Sequence, residues 1–341
     1  SCDYIAAVSK QTLNIVKNVW TINAPQPWQT DYIPHGINQD FFFPIDQSHG
    51  DYPRFLEIKN QICGNADTEF VVFYNSRNIR RKLVTNIILA FSKFVDGLPK
   101  ENQHKCLLIL HTQPVDENGT DLPITVATLA PDKRVYFSGG KIDNRDLNCL
   151  YNLADITVNM SNAEGFGLGT AESLMAGTPI LATVTGGLQD QMRFEDENGK
   201  WIDFSPNYPS NHTGRYKKCG EWAFPMFPVV RSLTGSPLTP FIFEGFVNWE
   251  DSVSILHKIY SLGKAELKRR GLAGRQWMLS DESGMSTYHM AQKFIDGIEK
   301  TLVNWKGRKK FSIFSANNGL KALETRSFAK HTGILYASDK F

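Results

Sequence analysis

The sequence of 341 residues lacks the signals of several large classes of protein. No apolar run approaches the roughly 20 residues that a membrane-spanning helix needs. Five scattered cysteines form no C-x-x-C pair, which argues against a disulfide framework or a zinc site and predicts a reducing, cytoplasmic environment. Lys and Arg total 37 against 35 for Asp and Glu, so net charge indicates no nucleic-acid partner. Neither the P-loop pattern nor HExxH occurs. We therefore expect no metal, no transmembrane segment and no nucleic acid, and any anion site must be local.

The sequence does have short apolar runs that alternate with amphipathic stretches. Hydrophobic residues make up 41% of the chain, enough for a full core. The predicted strands are 70–74, 106–111, 135–137, 156–159 and 179–183, and the predicted intervening helices include 84–94, 146–153 and 168–176. Continuous apolar strands separated by helices are typical of a parallel sheet covered on both faces. This predicts a doubly wound, Rossmann-like α/β domain over about 65–205.

The flanking segments differ from this pattern. Residues 1–9 predict a buried strand and 10–20 a helix, and Pro34, Gly36 and Pro44 mark the following stretch as a linker. Residues 205–246 predict a long irregular insertion. Helices are predicted again at 249–262, 264–280 and 284–303, before a basic tail from 306.

The strongest motif is NAEGFGLGTAESLMAGTPI, residues 162–180. Glu164 and Glu172 are separated by seven residues, and glycines stand between them. The motif lies where a strand ends and a helix begins, which is where open parallel sheets bind ligands. Glycines allow close backbone approach, and the helix start offers free N–H groups. Two carboxylates there suit hydroxyl groups on a sugar and on a ribose. The alternative is an ordinary turn with two solvated glutamates.

A second motif, YNSRNIRRK over 74–82, ends another predicted strand. Asn75 opens the turn, and Arg77 and Lys82 offer a guanidinium fork and a point charge that suit a diphosphate. A solvated basic turn is the alternative. Gly187 in TGGLQDQ and Gly139 in VYFSGGKID end further strands. They predict either tight turns or ligand-facing loops.

These residues together resemble retaining GT-B glycosyltransferases, in particular glycosyltransferase family 4. Glu164 and Glu172 resemble the E-x7-E motif of that family, and Arg77 with Lys82 resembles its R-x4-K pair. The segment IPHGIN, 33–38, is similar to the interdomain IPNGVD, and GTPILATVTGG, 177–187, to its strand and glycine turn. The four motifs occur in the family's order.

The resemblance implies a role for each matching residue. Glu164 would bind the donor sugar hydroxyls, Glu172 the nucleotide ribose, and Arg77 with Lys82 the diphosphate, without a metal. The backbone of the glycine loop would support the sugar and phosphates. The residues implied as donor-binding are Glu172, Gly165, Phe166, Gly167, Leu168, Asn75, Gly139 and Gly187, and those implied as catalytic are Glu164, Arg77 and Lys82.

The resemblance also implies a division of the chain. Residues 1–45 would be the last strand and helix of a GT-B N-terminal domain with its linker, 46–305 the nucleotide-sugar-binding domain with the insertion at 205–246, and 306–341 a tail. The donor would be a UDP-, GDP- or ADP-sugar, and the acceptor a glycan, lipid or protein. The acceptor wall and the usual histidine would come from an N-terminal domain or partner chain, and His35 does not match that histidine by position. The alternatives are a non-catalytic nucleotide-sugar-binding or scaffold subunit, and a different GT-B enzyme such as an epimerase.

Overall fold

The computed structural model describes residues 2–20, 24–64, 67–203, 214–236 and 239–307. The predicted tail lies outside the described residues from 308 onward, as do residues 205–213 and 237–238 of the predicted insertion. The chain divides into a compact unit, 1–302, and a second unit, 303–341. Residues 2–45 belong to the first unit, and the boundary at residue 45 remains a prediction.

The elements follow the predicted alternation of strands and helices. The strands are β1 Ile5–Ala7, β2 Thr30–Tyr32, β3 Phe70–Asn75, β4 Cys106–His111, β5 Val135–Phe137, β6 Ile156–Asn159, β7 Ile180–Thr183, β8 Ala223–Met226, β9 Val230–Ser236 and β10 Thr239–Phe246. The helices are α1 Lys10–Val19, α2 Tyr52–Cys63, α3 Val84–Asp96, α4 Lys100–Gln103, α5 Leu122–Leu129, α6 Asn144–Leu153, α7 Leu168–Met175, α8 Gly186–Met192, α9 Trp249–Met278 and α10 Thr287–Asn304. Gly263, with φ +74°, kinks α9 at the break that the sequence predicted.

The central sheet has six parallel strands in the order β5-β4-β3-β6-β7-β8. The connections run outward in one direction from β3 and in the other from β6, so the topological switch point lies between these two strands. Alternate side chains of β3 enter different cores. Phe70, Val72 and Tyr74 pack on the side of α3, whereas Val71 and Phe73 pack on the side of α6 and α7. The predicted doubly wound α/β fold is confirmed.

The 205–246 segment is more regular than the sequence predicted. Residues 223–226 form β8, which pairs in parallel with β7 at the edge of the sheet. The sequence pattern hid this strand because it contains Pro225, which only an edge strand tolerates well. β9 and β10 form an antiparallel hairpin. The prediction of an irregular segment was therefore wrong for 223–226, 230–236 and 239–246.

The first strand also has a partner. β1 pairs in parallel with β2, with Ile5 opposite Thr30. The β1 backbone is therefore hydrogen-bonded on one side. In the part of the chain that the structure describes, no helix is both long and apolar enough to cross a membrane.

Candidate functional site

A cavity of about 380 Å³ opens at the switch point of the sheet, at the carboxyl ends of β3 and β6. This is where doubly wound sheets bind ligands. The residues that line it are His35, Asn75, Ser76, Lys82, Asn159, Glu164, Phe166, Gly167, Leu168, Gly169 and Glu172. The sheet thus brings together both predicted carboxylates, Lys82 and part of the glycine loop.

Glu172 is held on one side by a small hydrogen-bond network. Its Oε2 accepts a bond of 2.7 Å from the hydroxyl of the buried Tyr151. Asn75 Nδ2 donates to the same hydroxyl at 2.7 Å and lies 3.4 Å from Glu172 Oε2. Among the described residues, Glu172 Oε1 accepts no hydrogen bond. Burial raises the pKa of the Glu172 carboxyl above its ordinary value, although the bond from Tyr151 opposes that shift. Glu172 is thus a fixed acceptor with one oxygen left for a ligand hydroxyl.

Glu164 forms a nearly buried ion pair with Lys82. The Lys82 ammonium donates directly to Glu164 Oε2, and the two side chains are 8% and 11% exposed. Burial lowers the pKa of Lys82 below its ordinary value, and the attraction of Glu164 opposes that shift. Arg81 Nη1 donates to the Ala163 carbonyl at 2.7 Å and lies 3.5 Å from the same carboxylate. The sequence assigned Lys82 to a diphosphate and Glu164 to a sugar, and the structure places them side by side.

Arg77 lies beside this cavity and is not one of its lining residues. Its Nε donates at 2.8 Å to Asp116, whose side chain is only 3% exposed, while Arg77 itself is 62% exposed. The bond from Arg77 holds the pKa of Asp116 below its ordinary value. Arg77 instead lines a neighbouring cavity that shares Asn75 and Ser76 with the first. The five-residue spacing of the basic pair therefore does not by itself place both cations in one cavity.

The glycine loop is shaped by its neighbours. Gly167 precedes α7 with φ +91°, a conformation that favours glycine. The buried Gln191 amide donates to the carbonyls of Phe166 and Gly167 at 2.7 and 3.0 Å. Phe166 packs edge-on against His35, with 5.2 Å between ring centroids. Leu168 lines the cavity and is 50% exposed, whereas Gly165 does not line it.

The two remaining glycines differ in their surroundings. A Cβ on Gly187 would lie 2.6 Å from Phe166 Cα and 2.7 Å from the Gly165 carbonyl oxygen. The absence of a side chain at Gly187 thus allows the start of α8 to pack directly against the backbone of the glycine loop at Gly165 and Phe166. Gly139 is exposed, does not line the cavity, and has nothing within 4 Å of a built Cβ.

Gly186→Ala should destabilise the fold and displace the loop that carries Glu164. Gly186 has φ +49°, and a Cβ there would lie 1.7 Å from the Glu164 carbonyl oxygen. Overpacking of this kind costs about 1–3 kcal/mol. Thermal unfolding measures the effect, and Gly139→Ala, with open space around it, is the control that should change stability by less than about 0.5 kcal/mol. Equal effects of the two substitutions would contradict the close packing at Gly186.

Sequence reasoning missed several cavity residues. These are His35, Ser76, Asn159 and Gly169, together with Tyr151 behind Glu172. Ser76 and Asn159 stand at the ends of strands that the sequence did predict, so their position was a usable signal. His35 reaches the cavity because the linker that carries it crosses the edge of the sheet. No local sequence pattern indicates that crossing.

Solved structures share this architecture. Sucrose-phosphate synthase from Thermosynechococcus elongatus superposes with a TM-score of 0.61 at 20% identity, over 89% of this chain and 60% of that one. Anabaena HepE, solved in complex with UDP and glucose, superposes with a TM-score of 0.55 at 15% identity, over 89% of this chain and 64% of that one. The fold is therefore that of GT-B glycosyltransferase structures.

Sequence comparisons find similar proteins for part of the chain. Residues 56–208 match the family model for glycosyl transferases group 1. Mannosylfructose-phosphate synthase of Agrobacterium fabrum is 28% identical over 192 residues, which is 55% of this chain and 39% of that protein. An uncharacterized glycosyltransferase of Methanocaldococcus jannaschii is 27% identical over 224 residues, covering 66% of this chain and 52% of that protein. The chain thus spans about half or less of the length of these two curated relatives.

Proposed function

We propose that this chain binds a nucleotide-diphosphate-sugar and transfers its sugar with retention of anomeric configuration, as the donor-binding part of a retaining hexosyltransferase. The cavity at the switch point supports this most directly, because it combines the carboxylates Glu164 and Glu172 with the buried Lys82. Such a cavity offers acceptors for neutral hydroxyls and a cation for a phosphate. HepE, which shares the fold, was solved in complex with UDP-glucose.

The proposed chemistry divides between the two ends of the cavity. Glu172, fixed by Tyr151 and Asn75, holds the ribose through its free oxygen. Glu164 holds hydroxyls of the transferred sugar. Lys82, whose side chain is 8% exposed, neutralises negative charge that develops on the diphosphate as the bond to the anomeric carbon breaks. Arg77 joins Lys82 only if its bond to Asp116 is exchanged for one to phosphate.

The acceptor side is also part of the proposal. We infer that a further domain or a partner chain supplies the rest of the acceptor site, and that this chain alone binds donor but shows at most slow hydrolysis of it. We retain the prediction of a cytoplasmic setting, which the five free thiols support. The second candidate function is a non-catalytic nucleotide-sugar-binding subunit. It would use the same cavity to bind the donor but would not transfer the sugar.

The deciding experiment follows the anomeric configuration of the product by NMR. The chain is incubated with UDP-, GDP- and ADP-sugars, alone and with acceptor sugars, and the first product anomer is recorded. A product with the donor's configuration supports the proposal, and inversion contradicts it. Donor binding without turnover in every combination, including with a complementary acceptor domain, would favour the non-catalytic subunit.

A nucleoside diphosphate should stabilise the protein without added metal. Lys82 lines the donor cavity, Arg81 Nη1 lies 3.5 Å from Glu164 Oε2 at its edge, and Arg77 lines the neighbouring cavity. At a ligand concentration one hundred times the dissociation constant, linkage predicts about 2.7 kcal/mol of stabilisation. A thermal-shift series with UDP, GDP and ADP in EDTA measures this, with the nucleosides as controls. A shift that occurs only with Mg²⁺ or Mn²⁺ would contradict the expected role of these side chains.

A further inference from the structure

A second cavity, of about 300 Å³, lies next to the proposed donor cavity. Glu164 lines both, so ligands in the two cavities would meet at this carboxylate. The start of α1, the start of α8 and the β9–β10 hairpin form the remaining walls. The sequence motifs supply Arg81, Glu164 and Thr185 to this cavity, but they do not account for the wall formed by α1 and the hairpin.

One end of this cavity is polar and close to neutral. Gln11 and Thr12 line it from α1 and Thr185 from the turn before α8. The buried Gln11 Oε1 has no hydrogen-bond partner among the described residues. Buried acceptors without partners cost free energy, so a ligand hydroxyl that donates to this atom would be bound favourably. Arg81 and Glu164 contribute opposite charges, which suits a neutral, hydroxylated group rather than an anion.

The other end is apolar and opens onto the hairpin. Ile15 of α1 and Phe243 of β10 line the cavity, and they are 47% and 56% exposed. Phe243 pairs in register with Leu233, which is 53% exposed, and Phe241 two residues earlier is 82% exposed. These side chains leave apolar surface exposed on the hairpin that forms one wall of the cavity. Exposed apolar patches of this kind next to a site are typical of binding surfaces.

We propose that this second cavity is an acceptor subsite for an amphipathic alcohol, which carries a sugar-like hydroxylated head and an alkyl tail. The proposal rests on the proposed function and deepens it. The head would lie against Gln11, Thr12 and Thr185 beside Glu164, and the tail against Phe243. In the transfer, the head oxygen bonds to the anomeric carbon as the bond from that carbon to the diphosphate oxygen breaks. The head's hydroxyl proton leaves with the nucleoside diphosphate.

The experiment measures binding of two probes by calorimetry, octyl β-D-glucopyranoside below its micellar concentration and methyl β-D-glucopyranoside. Wild-type chain should bind the octyl glycoside at least about tenfold more tightly. Phe243→Ala should remove that preference. The matched control is Ile242→Ala, because Ile242 lies next to Phe243 on β10 but lines a different cavity. Gln11→Leu should weaken both glycosides about tenfold by removing the head acceptor.

The outcomes separate this subsite from the donor site. UDP binding is measured on the same four proteins and should be unchanged by the substitutions. If wild type binds none of UDP, GDP and ADP, the proposed function fails, whereas the glycoside comparison still decides the subsite. Equal binding of the two glycosides, or equal effects of Phe243→Ala and Ile242→Ala, would overturn the subsite. A change in dimerisation with Phe243→Ala and none in glycoside binding would instead assign this face to a second copy of the chain.

Discussion

Lys82→Met should destabilise the folded protein by about 3–5 kcal/mol, the usual cost of removing one partner of a buried ion pair. The Glu164 carboxylate is 11% exposed and has Lys82 as its direct partner. Methionine fills similar space but leaves that charge without its ammonium. Arg81, at 3.5 Å and already bonded to the Ala163 carbonyl, compensates only in part. Urea unfolding at neutral pH measures the loss.

A second substitution distinguishes two causes of the stability loss, the unpaired Glu164 carboxylate and the loss of packing at residue 82. Lys82→Met combined with Glu164→Gln removes both charges, so it should recover a large part of the lost stability. If the double variant is no more stable than Lys82→Met, the loss arises from packing and the ion-pair explanation is wrong.

Lys133 offers a matched control elsewhere in the fold. Its side chain is 4% exposed, but its partners Asp96 and Asp132 are 45% and 72% exposed. Lys133→Met therefore leaves carboxylates that water can solvate, and it should cost less than Lys82→Met. It should also leave UDP binding unchanged, whereas Lys82→Met should weaken it.

The sheet was predictable from sequence because its inner strands are continuous apolar runs. β4, β5 and β6 begin and end at the predicted residues. β4 and β6 are buried on both faces, so hydrophobicity alone reveals them. β5 is a half-buried edge strand, which its short apolar run still marked. β8 and the β9–β10 hairpin carry no such run, since the edge strand and the hairpin each leave side chains in water. Their pairing depends on tertiary position, which a local window does not contain.

The candidate site was predictable in position but not in its pairings. Strand ends and glycines located Glu164, Glu172 and Lys82 at one sheet edge, because the carboxyl ends of parallel strands meet there. Whether a basic side chain lines the cavity depends on which carboxylates elsewhere in the fold bind it instead. Asp116 follows β4, 39 positions from Arg77 along the chain, and it binds the guanidinium that the spacing motif assigned to phosphate. No rule of chain spacing anticipates that contact.

Glu172→Ala should weaken UDP binding by about 1.5–3 kcal/mol, or roughly ten- to a hundredfold, because the ribose loses a charged hydrogen-bond acceptor. Tyr151 and Asn75 remain bonded to each other at 2.7 Å, so the wall of the cavity should persist. Calorimetric titration of UDP measures the change. Glu164→Ala is the matched variant, and it should affect sugar transfer and sugar discrimination more than UDP affinity.

Stability measured on Glu172→Gln separates a binding role from a structural one. Burial raises the pKa of Glu172, so its ionised form is less favourable in the folded state than in the unfolded state. For an acid with a raised folded pKa, the penalty is absent below the unfolded pKa and fully present above the folded pKa. Removing the charge should therefore leave unfolding stability at neutral pH unchanged or raise it, while UDP affinity falls. If Glu172→Gln binds UDP less tightly but is no less stable to unfolding, the Glu172 carboxylate has a role in ligand binding and not in stability. If Glu172→Gln loses stability and keeps its UDP affinity, the carboxylate serves the fold and the ribose assignment is wrong.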